Sequence, residues 1–125
     1  MAESADAAAA YCRSGRCQLI LASLGLDGAV LTNGYQTYHS PVPNPDEPIV
    51  SLTGAGDSMT AVLAGFAATA PLRQSFTEFQ RTQDLSRLLR VAMATAQANV
   101  RLHSSEPPTL AQVNEWLSRV EVKTR

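Results

Sequence analysis

Two adjoining pieces of sequence decide the fold of this chain, Ile49-Val50-Ser51-Leu52 and Thr53-Gly54-Ala55-Gly56-Asp57. The first piece is typical of a short strand, the second is a glycine turn, and a helix rich in small residues is predicted over residues 55–69. A strand that breaks into a glycine turn and then opens a helix collects backbone N–H groups where the helix dipole is positive. The order predicts an anion site with the carboxylate of Asp57 at its edge. Such a site suits phosphoryl transfer, because the carboxylate can take a proton from an attacking hydroxyl.

Composition and charge are those of an ordinary globular domain. The chain has 125 residues, 45% hydrophobic and 17% charged, which argues against wholesale disorder. The formal net charge is −1 and no basic stripe is present, so we expect neither a nucleic-acid partner nor a membrane partner. The start of the chain lacks the features of a secretory segment, and Cys12 and Cys17 are the only cysteines. We therefore expect reduced, free thiols, a cytoplasmic protein and no metal site.

Apolar periodicity and turn residues predict the order of the elements. Strands are predicted at residues 17–23, 29–32, 35–39 and 49–52, with hairpin turns at Asp27-Gly28 and Asn33-Gly34. Helices are predicted at residues 55–69, 75–80, 84–102 and 110–119, and residues 2–14 are either a helix or a frayed end. Four prolines make residues 40–48 an extended connector. This order indicates an α/β fold in which residues 17–23 form a central strand and the sheet is incomplete.

The two glycine turns together carry a resemblance to a known family. The run Leu24-Gly25-Leu26-Asp27-Gly28-Ala29-Val30-Leu31, then a meander, then the block from Thr53 to Met59 resembles the C-terminal part of ribokinase-like (PfkB-type) carbohydrate kinases. The resemblance spans residues 17–116. It implies the C-terminal portion of a three-layer α/β/α fold, with a β-meander followed by the anion-hole helix. Residues 1–125 would then be a single fragment without the N-terminal substrate and lid portion.

The resemblance implies a role for each residue of the second glycine turn. Asp57 would be the catalytic base that deprotonates the acceptor hydroxyl. The N–H groups of Gly54, Ala55 and Gly56 would form the anion hole for the transferring phosphoryl group. The alternative role of Asp57 is that of a carboxylate that only stabilises the helix dipole.

Nucleotide and cation positions also follow from the resemblance. Gly25, Asp27 and Gly28 match the loop near the ATP phosphates, although Asp-Gly is also ordinary turn chemistry. Met93 and Ala96 match a segment that lines the adenine pocket, and their spacing fits core packing as well. Ser51 and Thr53 match positions beside a monovalent cation, with the departure that relatives often have Asp where Ser51 stands.

These matches imply the function and the cofactors. We expect ATP-dependent phosphorylation of a sugar or nucleoside hydroxyl, with Mg²⁺ and possible K⁺ as cofactors. The Pro-Thr-Leu sequence at residues 108–110, followed by an amphipathic helix, resembles the pseudouridine-kinase branch. The alternative is a non-catalytic nucleotide-binding or assembly domain that retains the fold.

The largest departure from the family is an absence. The substrate pocket, the lid strands and the Mg-associated Asn-x-x-Glu motif of the relatives belong to the N-terminal portion that has no counterpart here. A hydroxyl cannot be positioned for attack without that pocket. We therefore expect the isolated chain to be inactive, and to form a homo-oligomer or to associate with the missing N-terminal portion.

Overall fold

The computed structural model describes residues 2–47, 55–69, 85–102 and 107–125. In chain order the helices and strands are α1 (Ala2–Arg13), β1 (Ile20–Ser23), β2 (Ala29–Thr32), β3 (Thr37–Ser40), α2 (Ala55–Thr69), α3 (Leu85–Asn99), α4 (Leu110–Leu117) and β4 (Lys123–Thr124). The predicted strand at residues 49–52 and the predicted short helix at residues 75–80 lie outside the described residues. None of the helices in the described part of the chain is long and apolar enough to cross a membrane.

The sheet is an antiparallel meander with the order β1-β2-β3-β4. The two predicted hairpins are confirmed, with Ser23 opposite Ala29 at the first and Thr32 opposite Thr37 at the second. The third strand begins at Thr37 and not at residue 35. The side chain of Asn33 accepts hydrogen bonds from the backbone N–H groups of Tyr35 and Gln36, at 2.9 and 2.7 Å. Those residues are therefore part of the turn and cannot join the ladder.

The buried strand is β2, and the prediction that residues 17–23 form the central strand is wrong for the described sheet. All four residues of β2 are buried, whereas β1 is only partly buried and stands at the end of the strand order. Ala29 and Leu31 pack into the main core, α1 contacts β2, and α3 contacts both β2 and β3. Because neighbouring residues of a strand face opposite sides, β2 needs cover on both faces.

Helices α3 and α4 form as their apolar patterns predict. The predicted apolar face of α3, continued by one residue past its end, is buried at every position: Leu85, Leu88, Leu89, Ala92, Met93, Ala96 and Val100. Ala94, Gln97 and Ala98 of this helix are buried as well. Trp116 anchors α4 in the core at 5% exposure. The start of α4 is fixed by a capping box, in which the Thr109 hydroxyl accepts from the N–H of Gln112 at 3.2 Å and the Gln112 side chain accepts from the N–H of Thr109 at 2.7 Å.

The C-terminal residues add the fourth strand to the sheet and also contact the N-terminal helix. Strand β4 pairs with β3, and the N–H of Arg125 donates to the carbonyl of Thr37 at 2.8 Å. The Arg125 guanidinium reaches α1, where it lies 3.4 Å from the carbonyl oxygen of Ala2 and 3.7 Å from the carboxylate of Asp6. No sequence pattern predicted β4, since both of its residues are exposed.

Candidate functional site

The carboxylate of Asp57 stands at the start of α2, on the exposed side of the helix. The helix begins at Ala55, and both Gly56 and Asp57 are exposed. Two residues later, Met59 is buried at 6% exposure in the main core, so its side chain packs the first turn of α2 onto the core. The N–H groups of the first helical residues have no partner within a helix, and an anion beside them is favoured by the dipole. This end of α2 therefore offers backbone donors next to an accessible carboxylate.

Three of the predicted site positions precede the described start of α2. Ser51, Thr53 and Gly54 lie outside the described residues. Their assignment to a cation and to the anion hole stays a prediction.

The turn between β1 and β2 is a tight glycine loop held by its own backbone. Residues Gly25–Asp27 form one turn of 3-10 helix. Across this loop the N–H of Leu24 donates to the carbonyl of Gly28 at 2.7 Å, and the N–H of Gly28 donates to the carbonyl of Gly25 at 3.1 Å. Gly25 and Gly28 both have positive φ, of 59° and 89°, which only glycine adopts without strain. The predicted turn is confirmed, and its nucleotide contact stays a prediction.

Gly28 brings this turn against the end of β3. A Cβ at Gly28 would lie 1.9 Å from the carbonyl oxygen of Ser40, so no side chain fits between the two segments. From β3 the ring of His39 reaches the same turn, where its Nε2 donates to the carbonyl oxygen of Asp27 at 2.7 Å. Sequence reasoning gave His39 no role, because the two residues meet only through the register of the sheet. The turn is thus fixed by β3 as well as by its own hydrogen bonds.

Met93 and Ala96 lie in the protein core. Each is 3% exposed, and both belong to the buried cluster that contains Met59 and Ala29. Gln97 donates from its side chain toward the sulfur of Met93 at 3.5 Å. Core packing, one of the two interpretations of these residues, is what the structure describes. Their place beside an adenine ring stays a prediction.

One packed cluster connects the predicted parts of the site. It contains Ala29, which follows the first glycine turn, and Met93 and Ala96 of α3, and Ala55 at the start of α2 packs against it. Helices α2 and α3 are in direct contact. Segments that are far apart in sequence are therefore held by a common core. Among the residues that the structure describes, no group of three or more His, Cys, Asp or Glu side chains could hold a metal ion.

A polar cluster that sequence reasoning missed joins the proline-rich connector at residues 40–48 to helices α3 and α4. Two guanidiniums stack on the ring of Trp116, that of Arg101 at 4.0 Å and that of Arg119 at 4.6 Å. Glu47 pairs with both of them, at 3.8 and 3.4 Å respectively. Burial lowers the pKa of Arg101, with the charge of Glu47 opposing this shift. These residues line a cleft of about 200 Å³ between the connector and helices α3 and α4.

Comparisons with known proteins agree with this architecture. The profile of the pfkB family carbohydrate kinases matches residues 1–111. No curated protein sequence matches the chain significantly.

Several solved structures share the fold. A candidate sugar kinase from Clostridium perfringens superimposes with a TM-score of 0.71 at 18% identity, over 98% of this chain and 35% of its own. Phosphofructokinase-2 from Escherichia coli, solved in complex with potassium, gives 0.67 at 20% identity over 90% of this chain and 32% of its own. A candidate 1-phosphofructokinase from Thermotoga maritima gives 0.67 at 16% identity, over 99% and 33% respectively.

The chain thus spans about a third of the length of these structures. The described region is a mixed α/β unit that matches part of their fold. By the match of the family profile, this chain belongs to the pfkB family of carbohydrate kinases.

Proposed function

We propose that this chain is the nucleotide-site part of a longer kinase that transfers the γ-phosphoryl group of ATP to a hydroxyl of a sugar or nucleoside. The observation that carries the proposal is the exposed carboxylate of Asp57 in the first turn of α2, a helix anchored in the core by Met59. Membership of the pfkB family supports the reaction class.

Asp57 is proposed as the general base. Its carboxylate takes the proton of the acceptor hydroxyl as that oxygen attacks, which makes the oxygen a better nucleophile. A rigid helix start suits this task, because a base must be held within hydrogen-bond reach of the proton it removes. General-base catalysis contributes roughly 10²- to 10⁴-fold to a rate.

The backbone N–H groups of Gly54, Ala55 and Gly56 are proposed as the anion hole. The first N–H groups of a helix are without intrahelical partners, so they can donate to the charge that develops on a phosphoryl group. A Cβ at Gly56 would meet nothing within 4 Å, which leaves open space beside this backbone. Donors of this kind and this space would fit a phosphate group.

The glycine turn of Gly25, Asp27 and Gly28 is proposed to hold the ATP phosphates, with Met93 and Ala96 near the adenine. The hydrogen bonds of the turn and its contact with β3 support this, because a loop that is already ordered loses little freedom on binding. ATP supplies the phosphoryl group, and Mg²⁺ supplies charge neutralisation for its phosphates. The described residues offer no metal cluster, so we assign Mg²⁺ to the nucleotide phosphates and to parts of the kinase beyond them.

The monovalent cation and the acceptor are finer proposals. The potassium complex of the Escherichia coli phosphofructokinase-2 supports testing Ser51 and Thr53 as a K⁺ site. The Pro-Thr-Leu sequence that leads into α4 supports a pseudouridine-like acceptor, and the phosphofructokinases among the similar structures support a sugar phosphate. Acceptor contacts would come from the part of the relatives that this chain does not match.

The decisive experiment replaces Asp57 by Asn in the full-length kinase. We expect phosphoryl transfer to fall by roughly 10²- to 10⁴-fold while ATP binding, measured by calorimetry, is retained. Asp46→Asn, at an exposed carboxylate of the connector, is the matched control and should leave both unchanged. Transfer that is unaffected by Asp57→Asn would remove the role given to Asp57. ATP binding without turnover of pseudouridine, free sugars or sugar phosphates would favour the non-catalytic alternative.

A further inference from the structure

The two cysteines of the chain lie side by side at the end of α1. The helix stops because Gly15, at a φ of 83°, turns the chain back, and the N–H of Gly15 donates to the carbonyl of Cys12 at 3.0 Å. This reversal places the sulfur of Cys17 3.8 Å from the sulfur of Cys12. Both thiols are free. A disulfide bond is about 2.05 Å long, so the sulfurs need to approach by roughly another 1.8 Å.

The two thiols have different surroundings. Cys12 is buried at 7% exposure, and its thiol points toward the carbonyl oxygen of Thr32 at 3.6 Å. Cys17 is only partly buried. Burial, and next the contact with Cys17, raise the pKa of Cys12 to about 11. Since the thiolate is the nucleophile, the more accessible Cys17 is the thiol that an external reagent reaches first.

The backbone at Cys12 is held against the sheet. Arg13, next to Cys12, donates from its guanidinium to the carbonyl of Gly34 at 2.7 Å. A Cβ at Gly34 would lie 3.0 Å from the Cβ of Cys12, so the helix end packs directly on the turn between β2 and β3. Cys12 is therefore a positioned sulfur. It is not one of two thiols on a loose segment.

We propose that Cys12 and Cys17 are a reversible modification site, which a small-molecule disulfide of the glutathione type converts into an intramolecular disulfide. The thiolate of Cys17 attacks one sulfur of the oxidised glutathione, forms a mixed disulfide and releases the first glutathione thiolate. Cys12 then loses its proton to solvent, and its sulfur attacks the sulfur of Cys17, which releases the second glutathione. Two protein thiols are oxidised and one small disulfide is reduced to two thiols, so the exchange is balanced.

The bond would join the end of α1 to the chain that enters β1. Helix α1 contacts β1 and β2, so the link would fix the helix against the hairpin that carries the Gly25–Gly28 turn. This proposal does not depend on the kinase assignment. It rests on the distance between the sulfurs, the burial of one of them and the turn at Gly15.

Equilibration in glutathione redox buffers tests the site directly. The 125-residue chain is incubated at several ratios of reduced to oxidised glutathione, then trapped with N-ethylmaleimide and weighed by mass spectrometry. We expect a monomer that lacks two hydrogens and takes up no maleimide. We further expect the folded chain to favour this product by about tenfold or more over the urea-unfolded chain, because the fold holds the sulfurs together.

Two variants separate the steps. Cys12→Ser should stop at a glutathione adduct on Cys17, and Cys17→Ser should give almost no product, since the remaining thiol is buried. Mixed or intermolecular disulfides as the main products of the wild-type chain would overturn the proposal. An equal tendency to form the disulfide in the folded and unfolded chains would overturn it as well, and that readout needs no variant to fold.

Discussion

Among the glycines in the described part of the chain, Gly28 is the one at which an added methyl group would meet its neighbours most closely. Its φ of 89° and ψ of −129° lie in a region that residues with a side chain avoid, at a cost of about 1–3 kcal/mol. The new Cβ would also lie 1.9 Å from the carbonyl oxygen of Ser40 and 2.9 Å from the Cα of Pro41. Both neighbours are backbone, so relief requires β2 and the end of β3 to separate, at a further cost of about 1–3 kcal/mol. Gly28→Ala should therefore lower the free energy of unfolding by about 2–6 kcal/mol, a large part of the 5–15 kcal/mol that is typical of a domain.

Two other glycines separate the contributions of conformation and space. Gly15 has a φ of 83°, but a Cβ added there would meet nothing within 4 Å, so Gly15→Ala should cost only the backbone strain of about 1–2 kcal/mol. Gly65 lies within α2, where an added Cβ again meets nothing within 4 Å, and Gly65→Ala should raise stability by about 0.5–1 kcal/mol through helix propensity.

The free energies of unfolding of the three variants are measured by urea unfolding. The transition is monitored by the fluorescence of the single tryptophan and by far-UV circular dichroism. At a slope of about 1–3 kcal/mol per molar urea, the midpoint of Gly28→Ala should fall by at least about 0.7 M relative to wild type. A Gly28→Ala chain within about 0.5 kcal/mol of Gly15→Ala would refute the close approach of the turn to Ser40.

Three further predictions concern the helices and the buried thiol. Thr109→Ala removes the capping box of α4 and should cost about 1 kcal/mol in urea unfolding, while Ser118→Ala, at the exposed other end, should change little. Arg101→Met should cost about 1–2 kcal/mol and shift the tryptophan emission, because this guanidinium stacks at 4.0 Å and its side chain is 14% exposed, whereas Arg119→Met, at 35%, should cost less than about 1 kcal/mol in the same assay. Burial, and next the contact with Cys17, raises the pKa of Cys12 from an ordinary 9.0 to about 11, so the stability linked to its proton is fully present below about pH 9 and is lost as the pH rises through about 11. Between these pH values the free energy of unfolding of the reduced chain should fall more than that of Cys12→Ser in the same urea assay.

The helices could be predicted because their signals are local. The 55–69 prediction coincides with α2, and the capping residue Thr109 marks the first residue of α4 correctly. The apolar stripe of α3 gave its buried face, although the helix ends at Asn99 and not at residue 102, because a stripe does not report where the helical hydrogen bonds stop.

The sheet was less predictable because pairing is not local. The predicted strand starts at Cys17, yet the strand begins only at Ile20, after the chain has turned back toward Cys12. Strand β4 has no apolar pattern at all, and its conformation comes from its pairing with β3. The burial of β2 depends on the segments that pack against it, and the sequence of the strand alone does not specify those segments.

The same limit applies to the site. The first glycine turn carries its own backbone requirement, because Gly25 and Gly28 have positive φ, so it could be located from sequence. The contact of His39 with this turn and the stacking of Arg101 on the tryptophan arise only from tertiary placement. The pattern around Met93 could not separate a core residue from a pocket residue, because both are apolar at the same helical spacing.

The pairing of β4 with β3 also has a consequence for the order of folding. Lys123 pairs with His39, so the fourth strand joins a hairpin that is synthesised more than eighty residues earlier. The β1–β3 meander can form while the chain is still being made, because its contacts are local and its turns are short. The β3–β4 pairing is made only after Lys123 and Thr124 have left the ribosome, and the edge of β3 that they cover stays open to other strands until then.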